Sequence, residues 1–210
     1  IFPTDALLFN RVVDESKSSK SGVISLSQII NPTSTFQLSL NISEQSGFLS
    51  DPYKLRDIRP KDKTQIAVTN SYRHFMINAN AAFHANYRYY HDDFGISSHT
   101  FDASWHQNIG RSVRLIPNIR YYTQSAANFF TNIDDFQKSV NEYQSSDYRL
   151  SSFGAISGGV SLVLSRGQWA ATLNAERYVA TDHFSAYSVS RPSTALVRYN
   201  RISLGIEFIF

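Results

Sequence analysis

The sequence predicts an all-β chain, an antiparallel up-and-down transmembrane β-barrel of the outer-membrane type. Three observations point there. Apolar residues recur at every second position, the residues between them are mostly small or polar and uncharged, and the breaks between runs alternate between short and long. A strand sends successive side chains to opposite faces, so period two gives each strand one greasy and one polar face. Tight turns at one end and long loops at the other are the rhythm of a meander.

Strands are expected at about 21–31, 36–48, 64–76, 81–92, 99–109, 113–124, 148–165, 169–181 and 196–210, with a weaker one over 6–13. In the second, Phe36, Leu38, Leu40 and Ile42 alternate with Gln37, Ser39, Asn41 and Ser43. Next come Phe83, Ala85, Tyr87 and Tyr89 against His84, Asn86, Arg88 and Tyr90, then Phe101, Ala103 and Trp105 against Asp102, Ser104 and His106. Val113, Leu115, Ile119 and Tyr121 oppose Arg114, Asn118, Arg120 and Tyr122, and Trp169, Ala171, Leu173 and Ala175 oppose Ala170, Thr172, Asn174 and Glu176. The clearest run is the last, where Ile202, Leu204, Ile206, Phe208 and Phe210 alternate with Arg201, Ser203, Gly205, Glu207 and Ile209. The remaining strands are bounded by the breaks. Short ones fall at 31–35, 77–80, 110–112 and 166–168, and longer ones at about 50–63, 93–98, 125–147 and 182–194.

Composition removes several alternatives. Of 210 residues 42% are hydrophobic and 14% aromatic, with a net charge of +3, so the chain has apolar surface enough to escape disorder. The absence of Cys excludes disulfides, thiol catalysis and Cys-ligated metal centres. No run approaches the roughly 18 apolar residues of a membrane-crossing helix, whereas a barrel crosses on strands of about 10. Basic residues cluster only at 17–20 and 56–63, so nucleic acid is not an expected partner. A soluble barrel would hide its apolar set inside and carry Lys and Glu outside. Here Lys is nearly confined to the loops, and strand aromatics fall mostly on the apolar face near strand ends, as in outer-membrane girdles. The apolar face is therefore expected to meet outer-membrane lipid and the polar face to line a lumen.

The C-terminal pattern of Ser203, Gly205, Phe208 and Phe210 resembles the signal by which the bacterial outer-membrane assembly machinery recognises a last strand. That would place the C-terminus and the short turns in the periplasm and the long loops outside the cell.

Four ordered motifs, at 46–54, 88–100, 120–130 and 145–154, resemble those of a domain-of-unknown-function family of bacterial proteins predicted to be outer-membrane β-barrels. The resemblance runs from about Val23 to Phe210, with Phe94 where Trp is expected and Asn128 and Phe130 where Asp and Tyr are common. Members are longer, which implies that this chain is the C-terminal part of a larger barrel. Their frequent encoding beside a small lipoprotein, a flavin-transferring enzyme and thioredoxin-like proteins implies a lipoprotein or periplasmic redox partner. The family brings no settled activity.

Arg88–Tyr89–Tyr90 and Arg120–Tyr121–Tyr122 each end an upward strand, and alternation turns both Arg inward with Tyr90 and Tyr122. Asp92, Asp102, Arg114, Glu176, Arg201 and Glu207 share that face. The set reads as a polar lumen network, either a charged constriction that selects solutes or a packed lattice of paired charges. The lattice predicts that Arg88 and Arg120 lie at similar heights, that at least one pairs with a carboxylate, and that Tyr90 or Tyr122 offers its hydroxyl as acceptor. Asp92, Asp93 and His99 lack the spacing of a metal site. Asp182, His183 and Ser185 lack an oxyanion element, and Asp134, Asp135, Glu142 and Asp147 lack the glycine punctuation of a calcium loop. The expected function is therefore non-enzymatic and cofactor-free: a porin-like passage, or a membrane scaffold for a lipoprotein or periplasmic partner. The alternative is an outer-membrane enzyme with its site in the loops.

Overall fold

Alternation of this kind satisfies the backbone only when each strand has neighbours, and the chain supplies them in sequence order. The computed structural model describes residues 15–208 apart from 52–53, 55, 140–141 and 194, so the strand expected over 6–13 lies outside it. Nine strands form one antiparallel sheet in the order in which they leave the chain. They are β1 (Lys17–Asn31), β2 (Ser34–Gly47), β3 (Asp62–Met76), β4 (Ala81–Asp92) and β5 (Ser97–Ile109), then β6 (Val113–Gln124), β7 (Phe153–Arg166), β8 (Trp169–Thr181) and β9 (Arg198–Phe208). Every neighbouring pair is antiparallel. Among the described residues β1 and β9 stand at the two edges, each with a single neighbour.

Short turns join β1–β2, β3–β4, β5–β6 and β7–β8 at one end. At the β7–β8 turn Gly167 sits at φ 60°, a left-handed conformation that glycine adopts without a side-chain clash. The other end differs from expectation in two places. The 93–98 break is itself a tight turn, because Ile96 donates its N–H to an Asp92 carboxylate oxygen at 3.0 Å and Asp92 donates its own to Ile96 O at 3.0 Å. The strand expected from 148 begins only at Phe153. Asp147 accepts the Arg149 N–H at 3.0 Å and turns Tyr148–Leu150 into a 3-10 helix, whatever the local alternation favours.

Register fixes the faces. Ile202, Leu204, Ile206 and Phe208 lie opposite Ala175, Leu173, Ala171 and Trp169, whereas Arg201 and Ser203 lie opposite Glu176 and Asn174. The apolar face is exposed across the sheet: Ile24, Leu38, Ile119, Leu173 and Leu204 are all open. Its Lys, Arg, Asp and Glu residues stand only towards strand ends, with Lys20, Glu44, Arg177 and Arg198 near the loops and Arg166 at a turn.

The principal buried apolar cluster is consequently not between sheet layers. Phe94, Ile96, Ala127, Phe130 and Leu150 pack together from two connections at the long-loop end, with Leu49 of a third and Tyr90, Ala126 and Phe129 against them. A second cluster, Phe153, Ala155 and Ala180, packs with Tyr122, Tyr178 and Leu196 at the same end of the sheet.

Candidate functional site: a polar face under a loop cap

The register gathers Arg88, Tyr90, Asp92, Asp102, Arg114, Arg120, Tyr122, Glu176, Arg201 and Glu207 on one face. Arg120 lies opposite Asp102, whereas Arg88 lies opposite Thr100, which in turn opposes Tyr122. The two Arg therefore stand one same-face row apart rather than level.

Their partners differ too. Arg120 Nε is 3.7 Å from Asp102 Oδ1, an ion pair between two solvent-accessible groups. Arg88 instead rests over the Tyr90 ring, 5.3 Å from its centre, a cation–π contact. Arg201 Nη2 donates to Glu176 Oε2 at 2.8 Å across β8 and β9. The tyrosines depart from expectation: Tyr90 donates its hydroxyl to Asp92 Oδ2 at 2.6 Å, and Tyr122 donates to Gln124 Oε1. Neither hydroxyl serves an Arg. A carboxylate or amide oxygen two residues along the same strand lies on the same face and is the stronger acceptor for a phenol. Arg114 Nε donates to Asn108 Oδ1 at 3.1 Å, and Glu207 faces the same side opposite Ala170.

Asp92 is the junction between face and cap. Its side chain is wholly buried, 2.8 Å from Lys63 Nζ, and it also accepts from Tyr90 and from the Ile96 N–H. Lys63 lies 4.7 Å from the centre of the Phe94 ring, which ties it to the apolar cluster.

The cap has its own charged interior. Arg59 bridges Asp57 and Asp147, at 2.9 Å from each, and Arg149 Nη2 sits 2.6 Å from Asp147. Asp57 accepts the Asp51 N–H as well. Burial pushes the Asp147 carboxyl up, but hydrogen bonds from Arg149 and Arg59 outweigh it and hold it at about 2. Gln144, fully buried, stitches the long β6–β7 connection to the β2–β3 connection, exchanging backbone hydrogen bonds with Ile58 at 2.8 and 2.9 Å. Its side chain closes on the backbone of Asp135 at 2.9 and 3.1 Å. Sequence reading missed Asp57, Arg59, Lys63 and Gln144. Lys63 alone left a signal, since it has the parity of Gln65 and Ala67 on β3.

The start of the connection from β8 to β9, residues 184–187, folds onto the opposite, apolar face. Tyr121 donates its hydroxyl to Phe184 O at 2.8 Å, Ala186 donates its N–H to Thr123 Oγ1 at 2.8 Å, and Tyr187 stacks on His99. A Cβ on Gly154 would lie 2.1 Å from Phe184 O, so only glycine admits this strap.

The remaining sequence candidates disperse. Asp92 and His99 stand on opposite faces and cannot converge on a metal. His183 is almost fully exposed, with Asp182 3.8 Å away, and Ser185 bonds to Ser152 at 3.1 Å, so these residues form no relay. Asp147 is engaged by Arg59 and Arg149, which neutralise it. Ser203 and Gly205 lie on the polar face, Phe208 packs on Trp169 with ring centres 4.5 Å apart, and Phe210 lies outside the described residues.

What fold and site together define is an antiparallel meander, polar on one face, apolar on the other, and capped at one end by its own folded loops. The chain belongs to the family described as Protein of unknown function (DUF3570), whose match spans residues 6–187. That span takes in all four motifs on which the resemblance rested and stops before β9. No curated protein matches the chain.

Proposed function

We propose that this protein is a non-enzymatic bacterial outer-membrane β-barrel protein whose polar face lines an aqueous interior, as in a porin-like passage. The observation that carries this reading is the apolar face. Exposed Ile, Leu, Val and Phe extend over every strand except β4, whose apolar side chains are half-buried, and ionised side chains on this face keep towards the strand ends. Soluble proteins rarely expose contiguous apolar patches beyond a few hundred Å², while an outer-membrane wall requires such a band. Strands of 11 to 15 residues suit a crossing that takes about 9–11. Aromatics on that face, Tyr87, Tyr89, Phe101 and Tyr121 towards the loops and Phe83, Trp105, Trp169 and Phe208 towards the turns, suit the two girdles.

A second reading, a scaffold holding a lipoprotein or periplasmic partner, draws support from the loop end. There Tyr122, Tyr178 and Phe153 fill the polar face under a cap built on buried ion pairs. An interior narrowed in this way favours holding over conducting.

Membrane fractionation and planar-bilayer recording separate these readings. The passage predicts that the full chain fractionates with the outer membrane and gives discrete conductance steps once folded. Outer-membrane recovery with no conductance would favour the scaffold. Recovery as a soluble periplasmic protein would overturn both.

A further inference from the structure

We propose that the polar face near the short-turn end carries a binding site for a phosphate-class oxyanion, formed by Arg73, His84, His106 and Arg114. Arg73 lies directly opposite His84 on β3 and β4. The His84 and His106 rings meet with centres 4.0 Å apart between β4 and β5. Arg114, on β6, follows beside Asn108, to which its Nε donates. All four stand on the face that holds the polar network, but at its far end, beyond reach of the cap.

The charge pattern sets this group apart. Elsewhere on the face Lys63 has Asp92, Arg120 has Asp102, Arg201 has Glu176 and Arg88 has the Tyr90 ring. Among the described residues no carboxylate pairs with Arg73 or Arg114. Arg73 donates to two main-chain oxygens, of Tyr72 and Ala85, at 2.9 and 3.2 Å. The same-face carboxylate one row up from Arg73 and His84, Asp102, already faces Arg120.

The two ends of the sheet also differ in sign. Described carboxylates gather at the loop end, except Asp102 and Glu176 in mid-strand and Glu207, while Arg111 and Arg166 add positive charge at the turns. Cations left without carboxylate partners among the described residues, on a half-buried polar face, attract an anion from solution. Guanidinium forks match the oxygens of a phosphate group, imidazole N–H groups add donors, and chloride offers neither geometry.

This deepens the passage reading by naming its solute class, and it rests on the polar face being open to water from the short-turn end. The test is calorimetric titration of the folded full chain in detergent with inorganic phosphate at low salt, with chloride as the comparison anion. Phosphate is expected to bind and chloride not to compete at equal concentration. Arg73→Gln with Arg114→Gln should weaken binding about tenfold or more, with the circular dichroism spectrum and melting unchanged, the size expected for losing charged hydrogen bonds. Arg111→Gln, at a turn, should leave it within about twofold. Absence of phosphate binding by the unaltered chain would overturn the site, as would equal affinity in the double variant or equal competition by chloride. If the double variant does not fold, His84→Ala with His106→Ala must weaken binding for the proposal to stand. Binding without bilayer conductance would keep the site and discard the passage.

Discussion

Replacing Asp92 by Asn tests whether the junction between sheet and cap is electrostatic. The change keeps the side-chain shape and removes the charge. Three donors converge there, Lys63 Nζ at 2.8 Å, the Tyr90 hydroxyl at 2.6 Å and the Ile96 N–H at 3.0 Å, on a side chain with no exposed surface. Lys63, itself only 15% exposed, would keep its charge and lose its counter-ion. Breaking a buried pair from one side costs about 3–5 kcal/mol, because the surviving charge is stranded. Lys63 can relax partly towards solvent and keeps the Phe94 ring, so the low end, about 3 kcal/mol, is the better figure. For a chain of this size that is a fall in melting temperature of roughly 6–12 °C. Thermal unfolding of the detergent-folded protein, followed by circular dichroism, reads it directly. Combining Asp92→Asn with Lys63→Met removes both charges and should recover most of the loss. A single variant melting within about 2 °C of the parent would refute the reasoning, as would a double variant no better than the single.

Two other outcomes are expected. Gly154→Ala places a methyl where Phe184 O now lies, so residues 182–187 should detach while the sheet persists; faster proteolysis within that segment, with unchanged far-ultraviolet dichroism, checks this. Asp147 is held at about 2 in the fold, below its ordinary 3.8, so its stabilising contribution is complete above the ordinary value and lost as pH falls through about 2. The melting curves of the parent and Asp147→Asn should accordingly diverge above about pH 4 and converge near pH 2.

The strands were legible because period two is written locally. Ile202 to Phe208 states its own faces, and the same alternation assigns Arg88, Arg120 and Glu176 to the polar side without knowledge of any partner. Partner choice was not legible. Alternation places Tyr90 on a face but does not say that Asp92 will take its hydroxyl ahead of Arg88. The cap was invisible for a different reason. Arg59 and Asp147 are 88 residues apart in irregular segments, and Gln144 meets Ile58 with no periodic signal on either side. Residues 148–152 misled outright, since an Asp147 cap outcompeted a pattern that reads as strand.

The placement of the packed apolar cluster in the connections rather than between sheet layers bears on how such a sequence can drift. In the proposed outer-membrane setting the outward band asks only for hydrophobicity, so Leu38, Ile119 or Leu204 can exchange for Val, Ile, Phe or Met with little effect, each strand being held by its backbone ladder. Phe94, Phe130, Leu150 and Gln144 are held by contacts that no neighbour can replace. Among divergent homologues the wall should wander while the connecting segments stay nearly fixed, the reverse of the pattern in water-soluble domains, where loops vary and strands persist.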